Sequence, residues 1–189
     1  MNTPPPGRDG LHGSPGPLLI RNSTDADLPA VTAIYAHGVL HGTGTFELDA
    51  PDEAEMARRR AEVLSRGLPY LVAERNGAVL GYAYANYFRP RMAYRFCLED
   101  SIYLAPDAQG QGVGRVLLAE LIARCEAAGA RQMVAVIGDS ANAGSIGLHR
   151  ALGFHDMGTM TAAGWKFDRW LDVVFMQRAL GLGASEPGA

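Results

Sequence analysis

The heptapeptide Gln109-Gly110-Gln111-Gly112-Val113-Gly114-Arg115 has the makings of an anion-binding turn. Its glycines let a backbone approach a ligand closely, and successive N–H groups point into one concavity. Where such a turn opens a helix, the helix N-terminus adds partial positive charge, so a phosphate is favoured there. Arg115 can add a charge-assisted contact. A nucleotide P-loop is excluded, because no lysine followed by Ser or Thr stands in the turn. A dinucleotide fingerprint fails too, since its third glycine falls on Arg115 or on Leu117. Just upstream, the carboxylates Glu99 and Asp100 sit in an otherwise apolar run. A carboxylate there is unfavourable unless it has a role or a partner. Burial lifts a glutamate above its usual ~4.3, toward a range useful for taking a proton. Neighbours on a strand face opposite sides, so only one of the two is expected to reach a cleft. An ion pair of Glu99 with Arg91 or Arg95 is the competing, purely structural role.

The elements that must position these groups follow from pattern. Leu18 to Arg21 reads as a strand, and Thr24 or Asp25 can cap a helix carrying Ala30, Ile34 and Val39. A Gly/Thr loop, 41–46, precedes a second helix from Asp52 to Ser65. Tyr70–Glu74 and Val79–Tyr87 flank Arg75-Asn76-Gly77, a hairpin signal. Tyr94 to Leu104 reads as a long strand, Val113 to Ala128 as an amphipathic helix, and Gln132 to Ile137 as a strand buried on both faces. Asn142 to Leu152 reads as a further helix, followed by strands at Phe154–Met160 and Leu171–Gln177. Hairpin strands first and a βαβ unit later imply an α/β (α+β) fold: a mixed sheet with helices on both faces.

The chain has 189 residues, which suits one domain. Residues 1–17, rich in Pro and Gly, and residues 181–189 are expected to be disordered, leaving 18–180 as the folded unit. A net charge of −3 argues against a nucleic-acid partner held by phosphate neutralisation. No apolar run approaches the ~20 residues of a membrane helix. Two cysteines, Cys97 and Cys125, make neither a disulfide framework nor a zinc site. No metal is called for. With no secretory leader at the N-terminus, a cytoplasmic protein is expected.

Gln109-x-x-Gly112-x-Gly114, set between a long strand and a helix, resembles the acetyl-CoA pyrophosphate loop of the GNAT superfamily of N-acetyltransferases. Further segments are closer still to its phosphinothricin / methionine sulfoximine acetyltransferase family. They are Thr45-Phe46, Arg89-Pro90-Arg91, Ala93-Tyr94-Arg95, Glu99-x-Ser101-Ile102-Tyr103-Leu104, Leu148-His149 and Trp165-Lys166-Phe167-x-x-Trp170-x-Asp172. The resemblance implies the GNAT fold, with a mostly antiparallel central sheet, and acetyl transfer from acetyl-CoA to a primary amine in a ternary complex. It also implies a homodimer.

It implies roles residue by residue. Backbone groups of Ile102, Tyr103 and Leu104 would pair with the pantetheine arm, as an added strand does. Gln109, Gly110, Gln111, Gly112, Val113, Gly114 and Arg115 would take the pyrophosphate. Asn142 would hydrogen-bond the arm, or serve only as a helix cap. Glu99, rather than Asp100, is the base that the family pattern selects. His149 stands where many superfamily members place a tyrosine that protonates the leaving thiolate, and a second base or substrate contact are its alternatives. For an amino-acid substrate, Arg91 and Tyr94 would clamp the carboxylate, preferred over Arg89. Phe46 would form an apolar wall, with the backbone of Met92 and Ala93 between. Acetylation of another amine (polyamine, aminoglycoside, protein N-terminus) and a CoA-binding sensor without turnover are the rival functions.

Overall fold

A computed structural model of the chain describes residues 16–187. The leader expected at 1–17 lies, for residues 1–15, outside the described residues. Seven strands form one sheet in the order β1-β2-β3-β4-β5-β7-β6. They are β1 Leu19–Asn22, β2 Tyr70–Arg75, β3 Ala78–Tyr87, β4 Cys97–Leu104, β5 Gln132–Gly138, β6 His155–Lys166 and β7 Arg169–Ala179. Four helices are α1 Leu28–His41, α2 Glu53–Ser65, α3 Val113–Ala127 and α4 Ala143–Ala151. Every strand pair is antiparallel except β4 with β5, which α3 connects in parallel.

Local chemistry explains most boundaries. Thr24 and Asp27 form a reciprocal capping box ahead of α1. Asp52 caps α2 by accepting from Glu55 N–H at 2.8 Å. Asn76 and Gly77 take left-handed conformations, the geometry a two-residue hairpin turn demands. The long strand expected from Tyr94 instead begins at Cys97, and Met92–Tyr94 form a single 3-10 turn. The β3–β4 ladder ends at Tyr87↔Leu98, so the residues between have no partner strand and fold back on themselves. The last two strands run longer than apolar patterning suggests, because β6 is exposed along most of its length and carries no alternation to read.

Side-chain alternation along β4 sorts the helices. Tyr103 packs edge-on against Tyr35 of α1, with ring centroids 4.9 Å apart. Ile102 and Leu104 point the other way, against Gly114 of α3. Leu148 of α4 meets the same glycine. Thus α1 lies on one face of the sheet, α3 and α4 on the other. Leu71, Val72, Tyr82 and Ala83 of the hairpin and Leu117, Leu118 and Leu121 of α3 form the centre of the core. Beyond β7, residues 181–187 form turns, and Arg131 donates to the Pro187 carbonyl at 3.3 Å.

Candidate active site

The β4–β5 ladder runs only from Cys97↔Gln132 to Asp100↔Ala135. Past that point the strands separate: Ser101–Leu104 stay with β3, and Val136–Gly138 with β7. The facing edges keep free backbone groups, and a cleft of about 910 Å³ opens there. It reaches both faces of the sheet. Ile34, Gly38 and His41 line it from α1; Gly114, Arg115, Leu148 and His149 line it from α3 and α4. Both Glu99 and Asp100 therefore border the cleft. This corrects the expectation that only one would: alternation puts them on opposite faces, but the cleft cuts through the sheet.

At one end stands the glycine turn. Gly110 (φ +71°) and Gly112 (φ +79°) take left-handed conformations. A Cβ at either would meet open space, so backbone geometry rather than crowding calls for glycine. Gly112 caps α3 without any side-chain partner for the first helical N–H groups. Exposed Arg115 lies on the rim. These features fit a diphosphate. The free edge of Ile102, Tyr103 and Leu104 fits an amide-bearing chain laid along it. Of the other turn residues, Gln109 lines the cleft, Val113 is buried, and the Gln111 side chain turns away to the Asp107 carbonyl and Arg75. Asn142 caps α4, accepting from Ser145 N–H at 3.2 Å, while its Nδ2 lies 3.4 Å from the Gly138 carbonyl.

Glu99 has no hydrogen-bond or ion-pair partner among the described residues, so the structural pairing with Arg91 or Arg95 is not formed. Burial raises its proton affinity; the charge of Arg89 opposes this, and neighbouring Asp100 adds to it. The arginine felt by Glu99 is thus Arg89. Arg91, Met92, Ala93 and Tyr94 are exposed on their turn and do not border the cleft.

His149 is 2 % exposed. Its Nε2 is 2.9 Å from Asp100 Oδ2, and its Nδ1 is 2.8 Å from the Ser145 carbonyl oxygen. Burial works against its charge, but Asp100 and then Ser145 outweigh this, and its pKa is raised. Phe46 is wedged between β5 and β6, its ring filling the space that side chains at Gly138 and Gly164 would need. The loop that carries it is held by a cation from the Trp165-Lys166-Phe167 segment. Lys166 Nζ donates to the carbonyls of Gly42 (3.0 Å) and Thr45 (2.9 Å). Lys166 is 3 % exposed, and burial lowers its pKa. Thr45 of the Thr45-Phe46 motif lines the cleft, as do Thr43, His37 and His41, for which no role is read from the sequence; a histidine pair at helical spacing is the available signal. Both thiols are held in protonated form by burial, Cys125 with its pKa raised to about 12 and Cys97 less so, each with help from a nearby carboxylate.

Among the described residues no cluster of three or more His, Cys, Asp or Glu is placed to hold a metal, and no helix is long and apolar enough to cross a membrane. The model of the acetyltransferase (GNAT) family matches residues 36–154. The phosphinothricin N-acetyltransferase of Alcaligenes faecalis is 57% identical over 178 residues, 94% of this chain and 90% of that protein. The L-methionine sulfoximine/L-methionine sulfone acetyltransferase of a Pseudomonas aeruginosa strain is 44% identical over 89% of this chain and 98% of its own length. Among solved structures, a GNAT superfamily phosphinothricin acetyltransferase from Sinorhizobium meliloti, in complex with AcCoA, superposes with a TM-score of 0.88 at 52% identity. That match covers 91% of this chain and 93% of the other. With its split sheet, glycine turn and these relatives, the chain belongs to the GNAT acetyltransferase family, in its phosphinothricin and methionine sulfoximine acetyltransferase branch.

Proposed function

We propose that the chain acetylates the α-amine of a small amino-acid-like substrate of the phosphinothricin, methionine sulfoximine or methionine sulfone type, by direct attack in a ternary complex with acetyl-CoA. One observation carries this reading: Glu99 is an unpaired, proton-hungry carboxyl in a cleft with a diphosphate cradle at one end. The names of the relatives support the substrate class.

Acetyl-CoA, when bound, supplies a thioester whose C–S bond is exchanged for the C–N bond of an amide. The rest falls to the chain. Backbone groups at Gly110, Gly112 and Gly114, with Arg115, hold the diphosphate, and the edge of Ile102–Leu104 orients the pantetheine arm. Glu99 accepts a proton from the substrate ammonium, directly or through one water, and so frees the attacking lone pair. His149 stands in the cleft wall, where its positive charge would favour the departing thiolate. Phe46, Arg91, Met92, Ala93 and Tyr94 form the acceptor side: Phe46 is wedged between β5 and β6, and the exposed turn of Arg91 to Tyr94 has to fold toward the cleft when a carboxylate is present.

A thiol-release assay with purified protein and acetyl-CoA tests this. The amine panel is phosphinothricin, methionine sulfoximine, methionine sulfone, methionine, spermidine and an aminoglycoside. Release that requires a carboxylate-bearing amine is expected. Release with the polycations alone overturns the acceptor assignment. Acetyl-CoA binding without release from any amine moves a sensor ahead. A cytoplasmic setting belongs to the same reading. So does a homodimer, whose contact we assign to the outer β6–β7 hairpin, where Met157, Met160, Trp165, Phe167 and Trp170 are exposed. Sedimentation at two concentrations checks it.

A further inference from the structure

Asp100, next to the candidate base Glu99, has a geometry that suits another task. Its side chain is 1 % exposed and that of His149 2 %, and they meet at 2.9 Å across the sheet–helix boundary. His149 meets acceptors at both ring nitrogens: Asp100 Oδ2 at Nε2 and the Ser145 carbonyl at Nδ1. Neutral imidazole has a single N–H and would leave one acceptor facing a lone pair. With Asp100 ionised, both contacts are satisfied only by the imidazolium; the Ser145 hydroxyl lies farther from Nδ1, at 3.4 Å. Asp100 Oδ1 is buried without a partner among the described residues, so the Oδ2 bond alone compensates the anion. Phe154 closes the other side, edge-on to the imidazole at 5.0 Å.

The geometry points to Asp100 as a positioning residue: it holds His149 doubly protonated, and the pair latches α4 to β4 beside the opening that receives acetyl-CoA. His149 keeps its protons through the cycle and serves as a fixed cation and a strut, not as a proton donor to sulfur. The latch matters for binding because α4 and its cap Asn142 form one wall of the opening, and β4 forms the other. Other titratable or charged groups near the pair are Glu99 on β4, Cys125 and Arg115 on α3, Arg150 on α4 and Arg178 on β7; none hydrogen-bonds to either partner among the described residues.

The inference rests on the acetyl-CoA reading of the cleft, so its test has an arm that needs no ligand. Histidine-labelled full-length protein is titrated by NMR, with His149 identified by its loss in His149→Gln. A midpoint above the ordinary ~6.5 is expected, falling by about one unit or more in Asp100→Asn. Acetyl-CoA affinity, measured by calorimetry across the same pH range, is expected to weaken roughly tenfold as pH rises through that midpoint. The sign follows from the raised pKa: the latch is present below it and lost above it. In Asp100→Asn the weakening occurs at lower pH. In His149→Gln, a neutral side chain that can still donate to Asp100, affinity is flat with pH, which keeps the test open should Asp100→Asn not fold. A His149 midpoint at or below ~6.5, or unchanged in Asp100→Asn, overturns the proposal. So does wild-type affinity that stays level through the midpoint. Absence of acetyl-CoA binding at every pH overturns the reading of the cleft, while the titration still reports whether the pair exists.

Discussion

At the α3 end of the cleft, the groups that face a ligand are backbone: N–H groups of the glycine turn and the free edge of β4. At the opposite end the proposed acceptor groups are side chains on connecting segments outside the cleft lining, Phe46 on the loop after α1 and Arg91 to Tyr94 on the turn after β3. The first kind of site is fixed by chain conformation and tolerates any side chain that leaves φ alone. The second is held in place by distant contacts and changes whenever they change. Shared substrate parts suit the first construction, and variable ones suit the second.

Glu99, between the two ends, offers the largest effect. Glu99→Gln is expected to lower kcat by ~10²–10⁴ and leave acetyl-CoA affinity within about twofold, read by thiol release and calorimetry. Equal losses in both would make Glu99 part of the cofactor side and break the division. A smaller pair of effects sharpens it. Gly112→Ala forces a side chain into a left-handed conformation, at ~1–2 kcal/mol, and is expected to raise the acetyl-CoA Kd roughly tenfold with amine KM unchanged. Lys166→Met strips the Gly42 and Thr45 carbonyls of their donor, at ~1–3 kcal/mol per group. It is expected to raise amine KM several-fold and lower Tm, with acetyl-CoA affinity kept. The reverse pattern for either variant would refute the assignment of ends.

These regions also differ in what the chain of letters discloses. The glycine turn, the Asn76-Gly77 hairpin and α3 are local devices, each visible within a few residues. The hold of Lys166 on Thr45 spans 121 positions, and that of His149 on Asp100 spans 49. No periodicity reports such pairings. Tyr94-Arg95-Phe96 has strand-like composition, yet whether it forms a strand depends on a partner, and the β3 ladder ends at Tyr87.

The smallest expected effect concerns Arg89, whose charge stabilises the Glu99 carboxylate. Removing it in Arg89→Ala is expected to move the acidic limb of the kcat/KM profile to higher pH. Activity is lost as pH falls through the Glu99 pKa, because a base must be unprotonated to act. Arg91→Ala should leave that limb in place and raise KM for carboxylate-bearing amines instead. Coincident profiles for the two variants would merge their roles.

The buried thiols have a consequence for the bench. A disulfide reagent that colours with free thiolate reacts in proportion to the thiolate present. With buried Cys125 held at about 12 and half-buried Cys97 also raised, the folded protein presents less thiolate than free thiols would. Any coenzyme released by turnover carries an ordinary thiol and reports at once. The enzyme therefore adds little background of its own, and in a variant lacking Cys97 a slow rise in colour without amine would measure the opening of the core around α3.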